Sequence, residues 1–231
     1  MKKSRLWIIP AIFFLMACAV NLYGCVLNNL TVERYVKGAL VPLLAVTGLA
    51  YLAPRSFDVK TAGTLLLAQM LGWAGDSLLM GPGFAWFASG LGTFLLGHAC
   101  YLCLFTRSLK GLSAWKWVLA VVVMAAILVG VVLGIGISGA LLAPMAVYGA
   151  ALLLISFCGL CGICRGTAPS RCTWWMVLCG GLLFLLSDSL IAMRTFGEAQ
   201  FALRGFTIMS TYLAAQSLLC AAGVRLAIDK K

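Results

Sequence analysis

The chain has very few acidic residues and a single histidine. Of its 231 residues, 6 are Asp or Glu and 1 is His, and charged residues of both signs make up only 10% of the total. Soluble domains carry roughly 25% charged residues, and no polar stretch here is long enough to fold alone. Hydrophobic residues account for 63% of the chain, with a mean hydropathy of +1.07. This composition excludes a soluble domain and indicates an integral membrane protein.

Several motifs of familiar enzyme classes are also absent. The chain contains no HExxH pair, no glycine-rich phosphate loop before a helix and no GxSxG nucleophile elbow. The ten cysteines lie mostly in apolar runs, where Cys packs as a small hydrophobe, so they predict no disulfide framework. Cys158, Cys161 and Cys164 have a spacing that superficially resembles iron–sulfur ligation, but helix packing or lipidation near the cytosolic face explains them better. We therefore expect neither a metal nor another cofactor.

Apolar runs fill most of the chain and predict an all-α, polytopic membrane bundle of about eight helices that forms one domain over residues 1–231. The first run is long enough to span the membrane and ends without a small-residue cleavage site, so it reads as a retained signal anchor. The predicted spans are Trp7–Leu27, Tyr35–Leu52, Thr61–Met80, Ala85–Phe105, Trp115–Gly134, Ala140–Gly162, Trp174–Arg194 and Phe206–Ile228.

The net charge of +11 is distributed as in a topology signal. Basic residues fall in short loops and tails, so we expect no nucleic-acid partner. One side of the predicted membrane holds most of them, which places both termini in the cytoplasm and makes the chain a multi-pass protein, expected in the bacterial inner membrane. That side carries Lys2, Lys3, Arg5, Arg55, Lys60, Arg107, Lys110, Lys116, Arg165, Arg171, Arg225, Lys230 and Lys231, and the other only Arg34, Lys37, Arg194 and Arg204.

Two of the six acidic residues, Asp76 and Asp188, lie inside predicted spans. A charged side chain at the middle of a membrane helix costs about 2.5–3.5 kcal/mol on insertion scales. Polar contacts between membrane helices average only about 0.6 kcal/mol, so packing alone would offset this cost poorly. The pair therefore indicates a function.

Further polar side chains fall at similar depths when each helix is given its rise of about 1.5 Å per residue. Residues of five predicted helices fall in the outer half of the membrane. Three further residues lie deeper, on the fourth and the eighth predicted helices. Pairs three or four residues apart share a helix face. The pattern predicts an outward-facing polar cavity, formed by Asp76, Asp188, Lys37, Tyr148 and Tyr212, with His98, Gln216 and Tyr101 below it.

Four short motifs run through these residues. Gly75-Asp76 is followed by two leucines, and Phe184-Leu-Leu-Ser187-Asp188 has the form F-x2-S-D. The stretch from Phe87 to Tyr101 has the form F-x2-G-x3-F-x3-H-x2-Y, and Tyr212 to Gln216 has the form Y-x3-Q. Together they resemble the YhhN-like lysoplasmalogenase family of eight-span membrane proteins. That family usually has a lysine followed closely by proline in the second span, whereas here Lys37 and Pro42 are five residues apart.

The resemblance implies hydrolysis of the vinyl ether bond of lysoplasmalogens, which releases a fatty aldehyde and a glycerophospho-base. It assigns Asp76 and Asp188 as catalytic residues, with Lys37, His98, Tyr101, Tyr148, Tyr212 and Gln216 binding substrate or supporting them. Protonation of the alkene carbon gives an oxocarbenium-like cation to which water adds, and two carboxyl groups can serve as acid and as base or cation stabiliser. The expected partners are a lysophospholipid and the surrounding membrane lipid, with the phosphate near Lys37, Arg194 or Arg204.

A second reading is a proton-coupled transporter of a small or lipid-like substrate. Intramembrane Asp, His and Tyr residues form proton relays in such proteins. Many transporters are built from internal repeats, and this chain has none that we can detect. The missing repeat and the family resemblance favour the hydrolase.

The charge pattern yields a test of topology. If both termini are cytoplasmic, a C-terminal alkaline phosphatase fusion should be inactive and a C-terminal fluorescent-protein fusion should be bright. The opposite pair of results would reverse the orientation and place the polar cavity in the cytoplasmic half.

Overall fold

The computed structural model describes residues 5–135, 142–196 and 203–229, and in these ranges it contains eight α-helices and no strand. The all-α prediction is therefore confirmed. A short 3₁₀ turn, Thr106–Leu109, follows the fourth helix. The helices are α1 (Ile8–Val26), α2 (Leu30–Leu52), α3 (Val59–Leu79), α4 (Phe84–Phe105), α5 (Ala114–Ile135), α6 (Leu142–Arg165), α7 (Arg171–Phe196) and α8 (Arg204–Asp229).

Seven of these helices are long and apolar enough to cross a membrane, and α3 is the eighth helix of the described ranges. With 21 residues, α3 has the length of a membrane span, and it packs between α4, α2 and α8. Its lower hydropathy comes partly from Thr61, Gln69 and Asp76, which are all buried. These three polar side chains of α3 therefore face protein, and the position of α3 in the bundle is that of the predicted third span.

Contacts between chain segments place the basic connections at one end of the bundle. The Asp58 amide, just before α3, donates to the Ala227 carbonyl near the end of α8 at 2.8 Å. Arg107, just after α4, donates to the Ala168 carbonyl in the α6–α7 connection at 2.7 Å and pairs with Asp229. The basic loops and the end of α8 thus meet at one end, as the charge asymmetry predicts.

Helix α2 begins at Leu30, five residues before the predicted span at Tyr35. The Asn29 side chain accepts a hydrogen bond from the Val32 amide at 3.2 Å, which caps the helix. The predicted span starts later because polar residues in this first turn interrupt the apolar run. The extension places Arg34 on the helix, one turn outward of Lys37 and close to the same face.

A proline inside α2 is compensated by a side chain of α3. Pro42 has no amide hydrogen, so the carbonyl of Gly38, four residues earlier, lacks its helical donor. The Trp73 indole Nε1 donates to that carbonyl at 2.8 Å. This bond joins α2 to α3 between Lys37 and Asp76, and so helps to set how the two helices meet at the site.

The Pro42–Trp73 arrangement predicts a non-additive pair of mutations. Trp73→Phe should lower the free energy of unfolding by about 1–3 kcal/mol, because it leaves a carbonyl without a donor in an apolar environment. In a Pro42→Ala background, the new amide supplies that donor and Trp73→Phe should cost clearly less. Thermal unfolding in detergent micelles measures both effects, with the exposed Trp175→Phe as control. Equal costs in the two backgrounds would contradict the compensation.

Candidate functional site

Asp76, near the outer end of α3, is held by residues of two other helices. The Lys37 ammonium of α2 lies 3.2 Å from Asp76 Oδ1, and the Tyr212 hydroxyl of α8 donates to Asp76 Oδ2. Asp76 is only 2% exposed. A buried carboxylate needs a paired cation and satisfied lone pairs, and these contacts supply both. The prediction that Lys37 belongs to the site agrees with this geometry, although its spacing to Pro42 differs from the family pattern.

Asp188 of α7 has different surroundings. It accepts a hydrogen bond from the Tyr148 hydroxyl of α6 and is partly exposed. No lysine or arginine in the described part of the chain forms an ion pair with it. The two aspartates therefore have one tyrosine each, and among the described residues only Asp76 is paired with a cation.

Aromatic side chains fill the space between the two Asp–Tyr pairs. The Tyr212 ring lies 5.5 Å from the Phe184 ring, which lies 4.6 Å from the His98 ring, which in turn lies 5.2 Å from the Tyr148 ring. These centroid distances are typical of packed aromatic pairs. The site is thus one continuous aromatic cluster with an Asp–Tyr pair at each end.

Gly75, immediately before Asp76, is required for the packing of this cluster. A Cβ at this position would lie 2.6 Å from the Phe94 ring. The Phe94 ring also packs against the rings of His98, Phe184 and Tyr212, with centroid distances of 6.0–6.4 Å. In the Gly-Asp motif, Asp76 therefore supplies the carboxylate and Gly75 allows α3 to approach α4 closely.

A hydrogen-bonded chain continues from Asp76 toward the middle of the membrane. Gln216 Nε2 donates to the Tyr212 hydroxyl at 3.2 Å, and the Tyr101 hydroxyl donates to Gln216 Oε1 at 3.3 Å. Lys37, Asp76, Tyr212, Gln216 and Tyr101 thus form one chain through four helices. Nearby, His98 Nδ1 is buried and has no hydrogen-bond partner among the described residues.

Two neighbouring cavities adjoin the site. The first, which we call the vestibule, lies at the end of the bundle opposite the basic loops and has a volume of about 490 Å³. Its lining includes the cations Arg34 and Lys37 and the acidic Glu33. The second, which we call the cleft, is apolar with about 60 Å³ of free space, and Asp188 and Tyr148 lie in its wall. The two share the side chains of Leu79, Phe87 and Ile191.

All eight predicted site residues lie in this region, but not in the arrangement expected. The two aspartates were expected to face each other across a cavity, whereas Asp188 borders the cleft and Asp76 is buried behind Lys37 and Tyr212. Of the two other proposed cations, Arg204 begins α8 beside Gly205, which lines the vestibule. The Arg194 side chain lies outside the described residues.

The sequence reasoning missed Arg34, Phe94 and Phe184 as parts of the site. Arg34 could have been found, since it precedes Lys37 by three residues and helical neighbours at that spacing share a face. The two phenylalanines stand in the recognised motifs, but nothing in their spacing shows that their rings meet. Those contacts depend on how α4 and α7 pack.

The described residues contain no group of three or more His, Cys, Asp or Glu side chains placed to hold a metal ion. Within the cysteine series of α6, Cys158 and Cys161 are buried and Cys164 is exposed. Its members thus do not point to one centre.

The Lys37–Asp76 pair predicts a recoverable loss of stability. Lys37→Met should lower the free energy of unfolding by about 3–5 kcal/mol, because it leaves a buried carboxylate without its cation. Adding Asp76→Asn removes that charge and should restore most of the loss. Denaturant unfolding in micelles measures both, with Lys60→Met, an exposed lysine of α3, as control. A double variant as unstable as Lys37→Met would show that the pairing is not the cause.

Comparison with known proteins places this geometry in a family. The model of the YhhN family matches residues 32–224, which include all of α3 to α7 and most of α2 and α8. No curated protein and no solved structure matches the chain. All eight predicted site residues fall inside the matched range. Since the match covers well over half of its length, the chain belongs to the YhhN family.

Proposed function

We propose that the protein is a hydrolase of the bacterial inner membrane that cleaves the vinyl ether bond of lysoplasmalogens to a fatty aldehyde and a glycerophospho-base. The observation that carries the proposal is the pair of intramembrane aspartates, which have different partners around one aromatic cluster. Membership of the YhhN family also supports the proposal, because the resemblance of the sequence motifs to that family implies this reaction.

The different surroundings suggest a division of roles. Lys37 stabilises the negative charge of Asp76, so Asp76 suits the role of a fixed anion. Asp188 has no such cation among the described residues and borders the cleft, so it suits the role of proton donor. Pairs of carboxyl groups in unlike environments commonly divide the work in this way.

The reaction then proceeds in balanced steps. The Asp188 carboxyl transfers its proton to the alkene carbon distal to the ether oxygen, which leaves a cation shared by that oxygen and the adjacent carbon. Water adds to this carbon and gives one proton to the Asp188 carboxylate. The product of this addition is a hemiacetal. Proton transfer to the glycerol oxygen breaks the carbon–oxygen bond, and the hemiacetal hydroxyl loses its proton to become the aldehyde. The net change is the addition of one water.

Other groups of the site suit the intermediates. Asp76 and Asp188 lie at the two ends of one aromatic cluster, and a fixed negative charge stabilises a developing cation in a low-dielectric site. The rings of Phe94 and Phe184 add negative aromatic faces. At the outer end, Arg34 and Lys37 provide cations in the vestibule for the phosphate of the substrate.

One observation favours the transporter alternative. The chain from Lys37 to Tyr101 extends from the vestibule toward the membrane interior, as a proton relay would. A hydrolase needs no such extension beyond Tyr212. The assay below therefore includes a transport measurement.

The experiment is an aldehyde assay on purified protein in micelles, without added metal or nucleotide. A lysoplasmalogen should release aldehyde, whereas the corresponding saturated alkyl ether lipid should not react, because it has no alkene carbon to protonate. Asp188→Asn should lower kcat by at least about 10²-fold through loss of acid–base catalysis, and Asp76→Asn should lower it by a similar factor through loss of the charge that stabilises the cation. Asp229→Asn, a carboxylate at the opposite end of the bundle, should retain full activity.

Three outcomes contradict the proposal. Well-folded protein that releases no aldehyde from lysoplasmalogens with several head groups would exclude the hydrolase. Cleavage of the saturated ether would exclude the protonation mechanism. Substrate-dependent pH changes inside proteoliposomes, without aldehyde, would establish the transporter instead.

A further inference from the structure

The cleft beside Asp188 is open on the side that faces lipid. It is bordered by α4, α5, α6 and α7, and by Leu79 at the end of α3. Helix α5 packs against α6 and α7, but the described parts of α4 and α5 hardly touch. Ala120 is the only buried side chain described on α5, so this helix lies at the edge of the bundle. A gap between α4 and α5 thus connects the cleft with the bilayer.

The two neighbouring cavities differ in their chemistry. The vestibule carries Arg34 and Lys37 together with Glu33, whereas the cleft is lined almost entirely by apolar side chains such as Leu91, Val131 and Val132. Leu79, Phe87 and Ile191 border both, so the two cavities lie side by side. An anionic group joined to a single hydrocarbon chain fits this pattern, with the anion beside the cations and the chain beside Asp188.

The free space in the cleft limits how much of the chain it can enclose. Its volume is about 60 Å³, which leaves room for only a few water-sized groups. At the inner end, the tip of Leu128 lies over Gly149, where a Cβ would meet it at 2.7 Å. Most of a long chain must therefore leave through the open side.

We propose that the gap between α4 and α5 is a lateral portal through which a single-chain phospholipid binds, with only the first part of its chain in the cleft and the remainder in the bilayer. This proposal rests on the proposed lipid substrate but not on its cleavage. Because the distal chain lies outside the protein, affinity should change less than about threefold between long chains of different length.

The test is photo-crosslinking with a saturated 1-alkyl lysophosphatidylcholine, which the vinyl ether reaction cannot consume. The full-length protein is labelled in lipid nanodiscs with two probes, and the labelled peptides are identified by mass spectrometry. A diazirine near the glycerol should label the peptides of α6 and α7 that contain Met145 and Leu185. A diazirine in the middle of the chain should label those of α4 and α5 that contain Leu91 and Val132.

Two outcomes would overturn the portal. One is labelling spread evenly over the lipid-facing helices, which would indicate surrounding lipid only. The other is labelling concentrated in the groove of about 270 Å³ at the opposite end, which is lined by residues such as Trp7, Tyr51 and Arg225. Competition by excess unlabelled lipid separates specific labels from background.

A matched pair of variants on α5 tests the same point. Val132→Trp fills the cleft and should reduce specific labelling at least fivefold, and in active protein it should raise KM more than it lowers kcat. Val129→Trp places the same side chain at a position that is 55% exposed and not part of the cleft lining, so labelling should be unchanged. If Val132→Trp does not fold, Leu91→Trp narrows the portal from α4. Equal labelling in cleft-filling and control variants would refute the proposal.

The outcomes separate the portal from the proposed function. Labelling confined to the cleft in a protein that releases no aldehyde would retain the portal and exclude the hydrolase. Aldehyde release with labelling elsewhere would retain the hydrolase and exclude the portal.

Discussion

The ion pair between Lys37 and Asp76 is the interaction on which the arrangement of the site depends. A carboxylate that is 2% exposed inside a membrane bundle needs a cation close by, and Lys37 can supply it only if α2 and α3 meet at a defined depth. The Trp73 bond to the Gly38 carbonyl joins the helices beside that pair, and Gly75 lets Phe94 approach α3 on the other side. These features act together to keep one negative charge where lipid would otherwise exclude it.

That fixed charge gives the two aspartates their different chemistry. Asp76 and Asp188 each accept a hydrogen bond from a tyrosine, so the hydroxyls alone do not distinguish them. The distinction comes from Lys37, which lies beside one carboxylate, and from the cleft, which reaches only the other. In the proposed reaction, a substrate in the cleft would therefore meet Asp188 directly and Asp76 through its electric field. The aromatic cluster between them excludes water, and Coulomb interactions weaken least across such a medium.

Sequence alone predicted the helical class and the eight helical segments, and it proposed eight polar residues for the site because burial of charge in lipid restricts which residues can stand there. It could not predict the partners. Depth along each helix brings Asp76 and Asp188 to similar levels, but only helix packing decides that Asp76 meets Lys37 and Tyr212 while Asp188 meets Tyr148. The early start of α2 was missed because polar residues interrupt its first turn. The place of Arg34 in the site was missed for the same reason. The vestibule and the cleft arise from several helices at once and have no local pattern.

The depth of the site suits the chemistry of a single-chain ether lipid. In such a lipid the reactive bond lies one glycerol unit from the phosphate, so a catalytic carboxyl must lie just below the binding site of that phosphate. Ile191 borders both cavities, and Asp188 precedes it by three residues, or about 4.5 Å along the helix axis. A phosphate beside Arg34 and Lys37 would thus bring the first atoms of the chain to the level of Asp188. The same geometry explains the open side of the cleft, because a lipid held at this height already has its chain in the bilayer and needs only a gap between two helices to reach the carboxyl group.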